Sequence, residues 1–166
     1  MYQLWFGKQN SGYCGTGQWL RRWDPTASSK CPNCGQLQEE AGHLNRCKDP
    51  GRERLLEEKL VHLQQWMEEH LTHPELVYWI PRYIGRRGYK TFAELPEADK
   101  MSPMMKAVGE AQDQIGWQHL TEGKVATRLK DMQECHLLGA PTRMMVDTWM
   151  KGFIEQLIHL THSQWI

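Results

Sequence analysis

The chain has no excess of charge of either sign. Twenty Lys and Arg balance twenty Asp and Glu, beside eight His, for a formal net charge of +0. A neutral molecule has no global field to draw it onto nucleic acid or an anionic membrane, so any such surface must be a local patch. Long apolar runs are also missing. Nothing approaches the roughly 18 residues of a membrane span, and the opening Met1-Tyr-Gln-Leu-Trp-Phe-Gly-Lys lacks the apolar region of a secretory signal. Period-two alternation is absent beyond short possible pairs, which excludes a sheet protein. No internal repeat occurs, and no nucleophile, base and orienting group can be named together, so the reading is not an enzyme. Cysteine is scarce, five in 166 residues. Three of the five fall in one metal pattern, which suits a reducing compartment, so the expected location is intracellular, nuclear or cytoplasmic. What is plentiful is tryptophan (eight) and methionine (nine), the material of a bulky, irregularly packed core.

The pattern is Cys31-Pro-Asn-Cys34-Gly35 followed by His43-Leu-Asn-Arg-Cys47. Three thiolates and one imidazole at Cys-x2-Cys-x8-His-x3-Cys spacing suit a tetrahedral Zn²⁺ with no open position, the structural kind of site. Pro32 stiffens the turn between the first thiols. Gly35 supplies a positive φ where the backbone curls under a metal. His43 and Cys47 lie four apart, on one face of a helical turn. Alternative assignments are a disulfide or two, or a fourth donor from Cys14 or Cys135-His136. The other histidines, His62, His70, His73, His159 and His162, lack a companion Cys or paired carboxylate at ligand spacing and read as surface or partly buried side chains.

Beyond the pattern the periodicity is helical. Gln18–Trp23 reads as one or two turns with Trp19 stacked on Trp23. Asp49-Pro50 starts a helix, cap then proline, with a stripe of Leu56, Leu60, Leu63, Met67 and Leu71. Thr72-His-Pro-Glu75 reads as a capping box for a second, largely apolar helix through Ile84, bent or interrupted at Pro81. Residues 85–101 read as a connecting loop. Ser102-Pro103 opens a third helix with Met104, Val108, Ala111 and Ile115 on one side. A fourth carries Val125, Leu129, Met132 and His136, and a last one Met145, Trp149, Phe153, Leu157 and Leu160. The expected fold is mostly α: a small zinc-knuckle lobe over residues 1–48, then an irregular bundle of about five helices over 49–166. Cations interleaved with aromatic rings suit phosphate contact and base stacking. Two groups qualify: Trp19, Arg21, Arg22, Trp23, Lys30, Arg46 and Lys48 near the knuckle, and Tyr83, Arg86, Arg87, Tyr89 and Lys90 after the second helix. The alternative partner is a protein, or a second copy through the apolar stripe of the terminal helix.

Phe6-Gly-Lys-Gln-Asn-Ser-Gly, the Trp-rich stretch after it, and Cys-Pro-x-Cys-Gly with Glu39, Glu40, His43 and Cys47 together resemble a known segment. It is the zinc-binding region that follows the reverse-transcriptase domain in non-LTR retrotransposon polyproteins. Gln114-Ile-Gly-Trp117 and the final Trp-rich helix are similar to tails of such retroelement proteins. The resemblance implies zinc on Cys31, Cys34, His43 and Cys47, contact with RNA or DNA, and no polymerase activity, since the polymerase's paired aspartates are absent. It also leads to the expectation of a remnant or fragment of a longer protein.

Overall fold

The computed structural model describes residues 15–165, with side chains through 164. The expectations at Phe6 and Cys14 lie outside the described residues. Those described are mostly helical, 63% helix without strands. In chain order the helices are α1 Gly17–Leu20, α2 Ala41–Leu44, α3 Pro50–Glu69, α4 Pro74–Gly85, α5 Pro103–Ile115, α6 Trp117–Thr121, α7 Thr127–Leu138 and α8 Val146–Trp165. The five long helices are the expected bundle. Two 3-10 turns, Phe92–Glu94 and Ala98–Lys100, occupy the segment expected as loop. None of the helices is long and apolar enough to cross a membrane.

α3 is the central strut and packs on both α4 and α8. Asp49 caps it by accepting from the Arg52 amide at 3.0 Å, and Pro50 sits in its first turn, as the sequence requires. Leu56, Leu63 and Met67 are buried, but Leu71 is not: the helix has ended and Leu71 takes φ +51 on the surface.

The expected capping box at Thr72 is not formed. His73 is the cap, its Nδ1 accepting from the Glu75 amide at 3.1 Å. Thr72 is buried and its hydroxyl accepts from the Trp149 indole at 2.9 Å, while Glu75 accepts from the amide and hydroxyl of Ser102. Pairing a buried indole outweighs one cap, because an orphaned buried donor costs roughly 1–3 kcal/mol. The expected interruption at Pro81 is also absent. α4 runs through it, since Leu76, Trp79, Ile80, Tyr83 and Ile84 are all buried around it.

On α5 the inward face is Met105, Val108, Gly109 and Gln112, so Val108 is buried as expected, Ala111 and Ile115 are half-buried and Met104 is exposed. Gly109 is required there: a Cβ would stand 2.8 Å from Phe92 Cβ. Gly116, at φ +99, breaks the chain between α5 and α6. α8 buries Trp149, Phe153, Leu157 and Leu160 against its own chain, so the stripe expected as a dimer face is core, and Met145 lies exposed before the helix.

Three fully buried glutamines tie the segments together. Gln112 accepts from the Ala126 amide (2.9 Å), and Gln133 accepts from the His73 amide (2.8 Å) and donates to the Leu71 carbonyl (3.0 Å). Gln164, with its amide turned so that both its atoms are paired, donates to the Arg52 carbonyl (3.2 Å) and accepts from the Leu56 amide (3.3 Å). The last turn of α8 is thereby fixed to the first turns of α3.

Candidate metal centre

Cys31 and Cys34 stand on a tight turn. The Gly35 amide donates to the Cys31 carbonyl and the Cys31 amide to the Gln36 carbonyl, both at 2.9 Å. Gly35 has φ +74, the left-handed conformation that its lack of a Cβ permits. His43 lies in α2 and Cys47 follows the turn closed by the Arg46 amide on the His43 carbonyl, 2.8 Å. These two pieces bring four donor atoms within 4.8 Å of one another. Cys31 Sγ lies 3.8 Å from Cys47 Sγ, and Cys34 Sγ lies 3.3 Å from His43 Nε2. All three thiols are free, so no disulfide occupies the site.

These two edges are those of a small tetrahedral ion. With Zn–S about 2.3 Å and Zn–N about 2.0 Å, an ideal tetrahedron has S–S edges of about 3.8 Å and S–N edges of about 3.5 Å. The donor set is three thiols and an imidazole, so no position is left for water. Cys31, His43 and Cys47 are buried and Cys34 is partly exposed. Burial pushes the Cys31 thiol up and the Cys47 thiol up to about 12, whereas the Gln36 amide pulls the Cys34 thiol down. Burial lowers His43, against the opposing charge of Glu39, and so favours the neutral imidazole a metal needs.

Surrounding residues hold this cluster to the rest of the molecule. Glu39 is buried, and its carboxylate accepts from the Gly17 amide at 2.8 Å, which fixes α1 beside the site. Gly17 is confined there, because a Cβ would meet the Ser28 carbonyl oxygen at 2.5 Å. Arg87 reaches across from the turn after α4. Its guanidinium donates to the carbonyls of Cys47 (2.7 Å), Asn45 (3.3 Å) and Arg52 (3.3 Å). Arg46 stacks over Trp117 of α6 at 5.4 Å.

The expected cationic residues separate on this frame. Lys48, Arg86, Arg87 and Lys90 line one cleft of about 460 Å³ with Tyr89, Glu53 and Glu57. Arg86, Lys48 and Lys90 are exposed there, and Lys48 Nζ sits 5.7 Å over the Tyr89 ring. Arg87 is not a surface cation: it is 7% exposed and engaged with three carbonyls. Tyr83 is likewise withdrawn, buried and stacked on Phe92 at 3.9 Å. Trp19 and Arg22 line a depression beside α1 and α2. Trp19 and Trp23 face each other at 6.1 Å, tilted by 54° and not stacked, and Trp23 is 73% exposed. Arg21 donates to Ser29 Oγ at 3.3 Å, and Lys30 is exposed nearby.

Of the remaining histidines, His70 bonds the Trp66 carbonyl and His73 meets His136 edge-on. His62, His159 and His162 line one groove between α3 and α8. Among the described residues, the Cys/His group is the one set of three or more such side chains with donor atoms this close. Cys135 is exposed on α7 and lies outside it. Glu39 and Arg87 are the supporting residues whose roles the sequence reading missed. The Glu39–His43 spacing was a usable signal for the first; nothing local marked the second. Comparisons of the chain with protein-family models, curated proteins and solved structures find no match.

Proposed function

We propose that this protein is a non-catalytic module, stapled by Zn²⁺ on Cys31, Cys34, His43 and Cys47, that contacts nucleic acid. A closed four-donor site supplies folding energy and no activated water. It would hold the chain before α3 as a knuckle lobe against the bundle. The kinship with the segment downstream of retroelement reverse transcriptases belongs to the same proposal and points to RNA or DNA as the partner.

The observation that carries the reading is the convergence beside the metal site. Lys48 follows the ligand Cys47 directly, and Arg86, Tyr89 and Lys90 come from the turn that Arg87 ties to Cys47, yet all line one cleft. Cations around an exposed ring suit phosphates and a stacked base. The test is fluorescence anisotropy of a labelled oligonucleotide on the zinc-loaded protein over a salt series. Binding is expected to weaken steeply with salt, and Arg86→Ala with Lys90→Ala to reduce the slope by about 0.7 per lost contact on a single strand. Absence of binding at low salt to any RNA or DNA probe would end this reading.

A further inference from the structure

The cleft holding Lys48, Arg86 and Lys90 does not end at Tyr89. Tyr89 also lines a second cleft of about 330 Å³, with His43 and Arg46. Glu40, Gly42 and Gln118 line that cleft and also a third, of about 360 Å³, which contains Trp19 and Arg22. Shared walls make the three depressions neighbours along one face. They pass from the turn after α4, over the metal-bearing α2, to α1.

We propose that this face is a track for a single-stranded polynucleotide, a reading that rests on the nucleic-acid contact proposed above. The track has cations along its length: Arg86, Lys48 and Lys90 at one end, Arg46 in the middle, Arg22 at the other. It has two aromatic stations, Tyr89 (61% exposed) where the first two clefts meet and the Trp19–Trp23 pair at the α1 end. The middle is polar: Gln118 places its amide oxygen 3.2 Å from where a Gly42 Cβ would lie, so the glycine leaves that side chain room beside the passage. The Gln118 amide and the Glu40 carboxylate can meet base edges. The carboxylates Glu40, Glu53 and Glu57 interrupt the positive potential, which disfavours a uniformly charged rod and tolerates a strand whose bases turn inward. Shape decides the class. A duplex reader offers a convex helix or ribbon to a groove of the nucleic acid; this face is concave with rings standing along it, the arrangement that stacks unpaired bases.

The experiment uses the zinc-loaded full chain with fluorescein-labelled strands of about twelve nucleotides, single-stranded RNA and DNA against the matching duplexes. Single strands are expected to bind at least about tenfold tighter than duplex, and Tyr89→Ala and Trp23→Ala each to cost about fivefold or more without changing the salt slope. Arg22→Ala should lower the slope on a single strand by about 0.7. Arg128→Ala, an exposed cation on α7 outside all three clefts, should leave it unchanged. Equal or tighter duplex binding, or an Arg128 effect equal to that of Arg22, overturns the track while leaving nucleic-acid contact standing. No binding to any probe removes both, and tighter binding of an acidic peptide than of any strand assigns the face to a protein partner.

Discussion

Arg87 joins two parts of the chain that sequence distance keeps apart. Its guanidinium satisfies the carbonyls of Asn45 and Cys47, at the end of the His43–Cys47 segment, from a backbone held at φ +53. A zinc with three thiolates and an imidazole carries a net charge of −1, so a buried cation beside Cys47 also favours the loaded state. Arg87→Ala is expected to weaken metal binding about 10-fold or more, in line with outer partners of metal ligands. Cobalt titration, read by the thiolate–cobalt bands, checks this; unchanged affinity would reduce Arg87 to a packing residue. Cys47 gives a second prediction. Its folded pKa is raised by burial to about 12 from an ordinary 9.0, so the metal-free fold keeps its proton where the unfolded chain loses one. The linked stability is fully present below pH 9 and is lost as pH rises toward 12. Urea melts of the metal-free protein should show that loss, and Cys47→Ser should flatten it. At this scale the gathering of Cys31, Cys34, His43 and Cys47 was legible, because thiols and imidazole at that spacing suit one tetrahedral ion. Arg87 was not. Next to Arg86 it reads as a second surface cation, and only the turn's left-handed geometry sends it inward.

Between elements, close approach decides more than propensity. Gly152 lies where α8 crosses α3, and a Cβ there would meet the Trp66 ring at 2.6 Å. Alanine gains up to about 1 kcal/mol of helix propensity over glycine. Displacing an indole that stacks on His70 at 4.3 Å and lies 6.0 Å from Trp149 costs about 1–3 kcal/mol. Gly152→Ala is therefore expected to lower stability by about 1 kcal/mol, measured by denaturant midpoint; a stabilised variant would contradict the packing. The helices themselves were legible from periodicity, and Asp49-Pro50 and Ser102-Pro103 from their caps. Thr72 was not, since its hydroxyl serves Trp149 from a distant helix. The α5 face was displaced for a similar reason: Gly109 and Gln112 face inward, yet neither counts as apolar in a pattern.

For the molecule as a whole, the Cys/His cluster and the bundle hold unequal shares of the chain. α1 and α2 are four residues each, whereas the core cluster is drawn from α3 onward. Exhaustive chelation is expected to loosen residues 15–48, seen as lost amide protection there, while most of the far-UV helical signal survives. Collapse of the entire signal would show that the bundle depends on the site, and an unchanged protection map would deny the metal a folding role. Mostly α architecture was readable from composition and period. How the leading segment docks was not, because the docking uses carbonyls and amides that every sequence possesses.

Gln164 sets an order of events during synthesis. Cys31, Cys34, His43 and Cys47 leave the ribosome before the turn bearing Arg87, and Gln164, whose amide fastens α8 to Arg52, leaves after both. Arg52 also receives Arg87. The Cys/His cluster is thus held at first by a half-built surround, which is completed only once α8 has emerged.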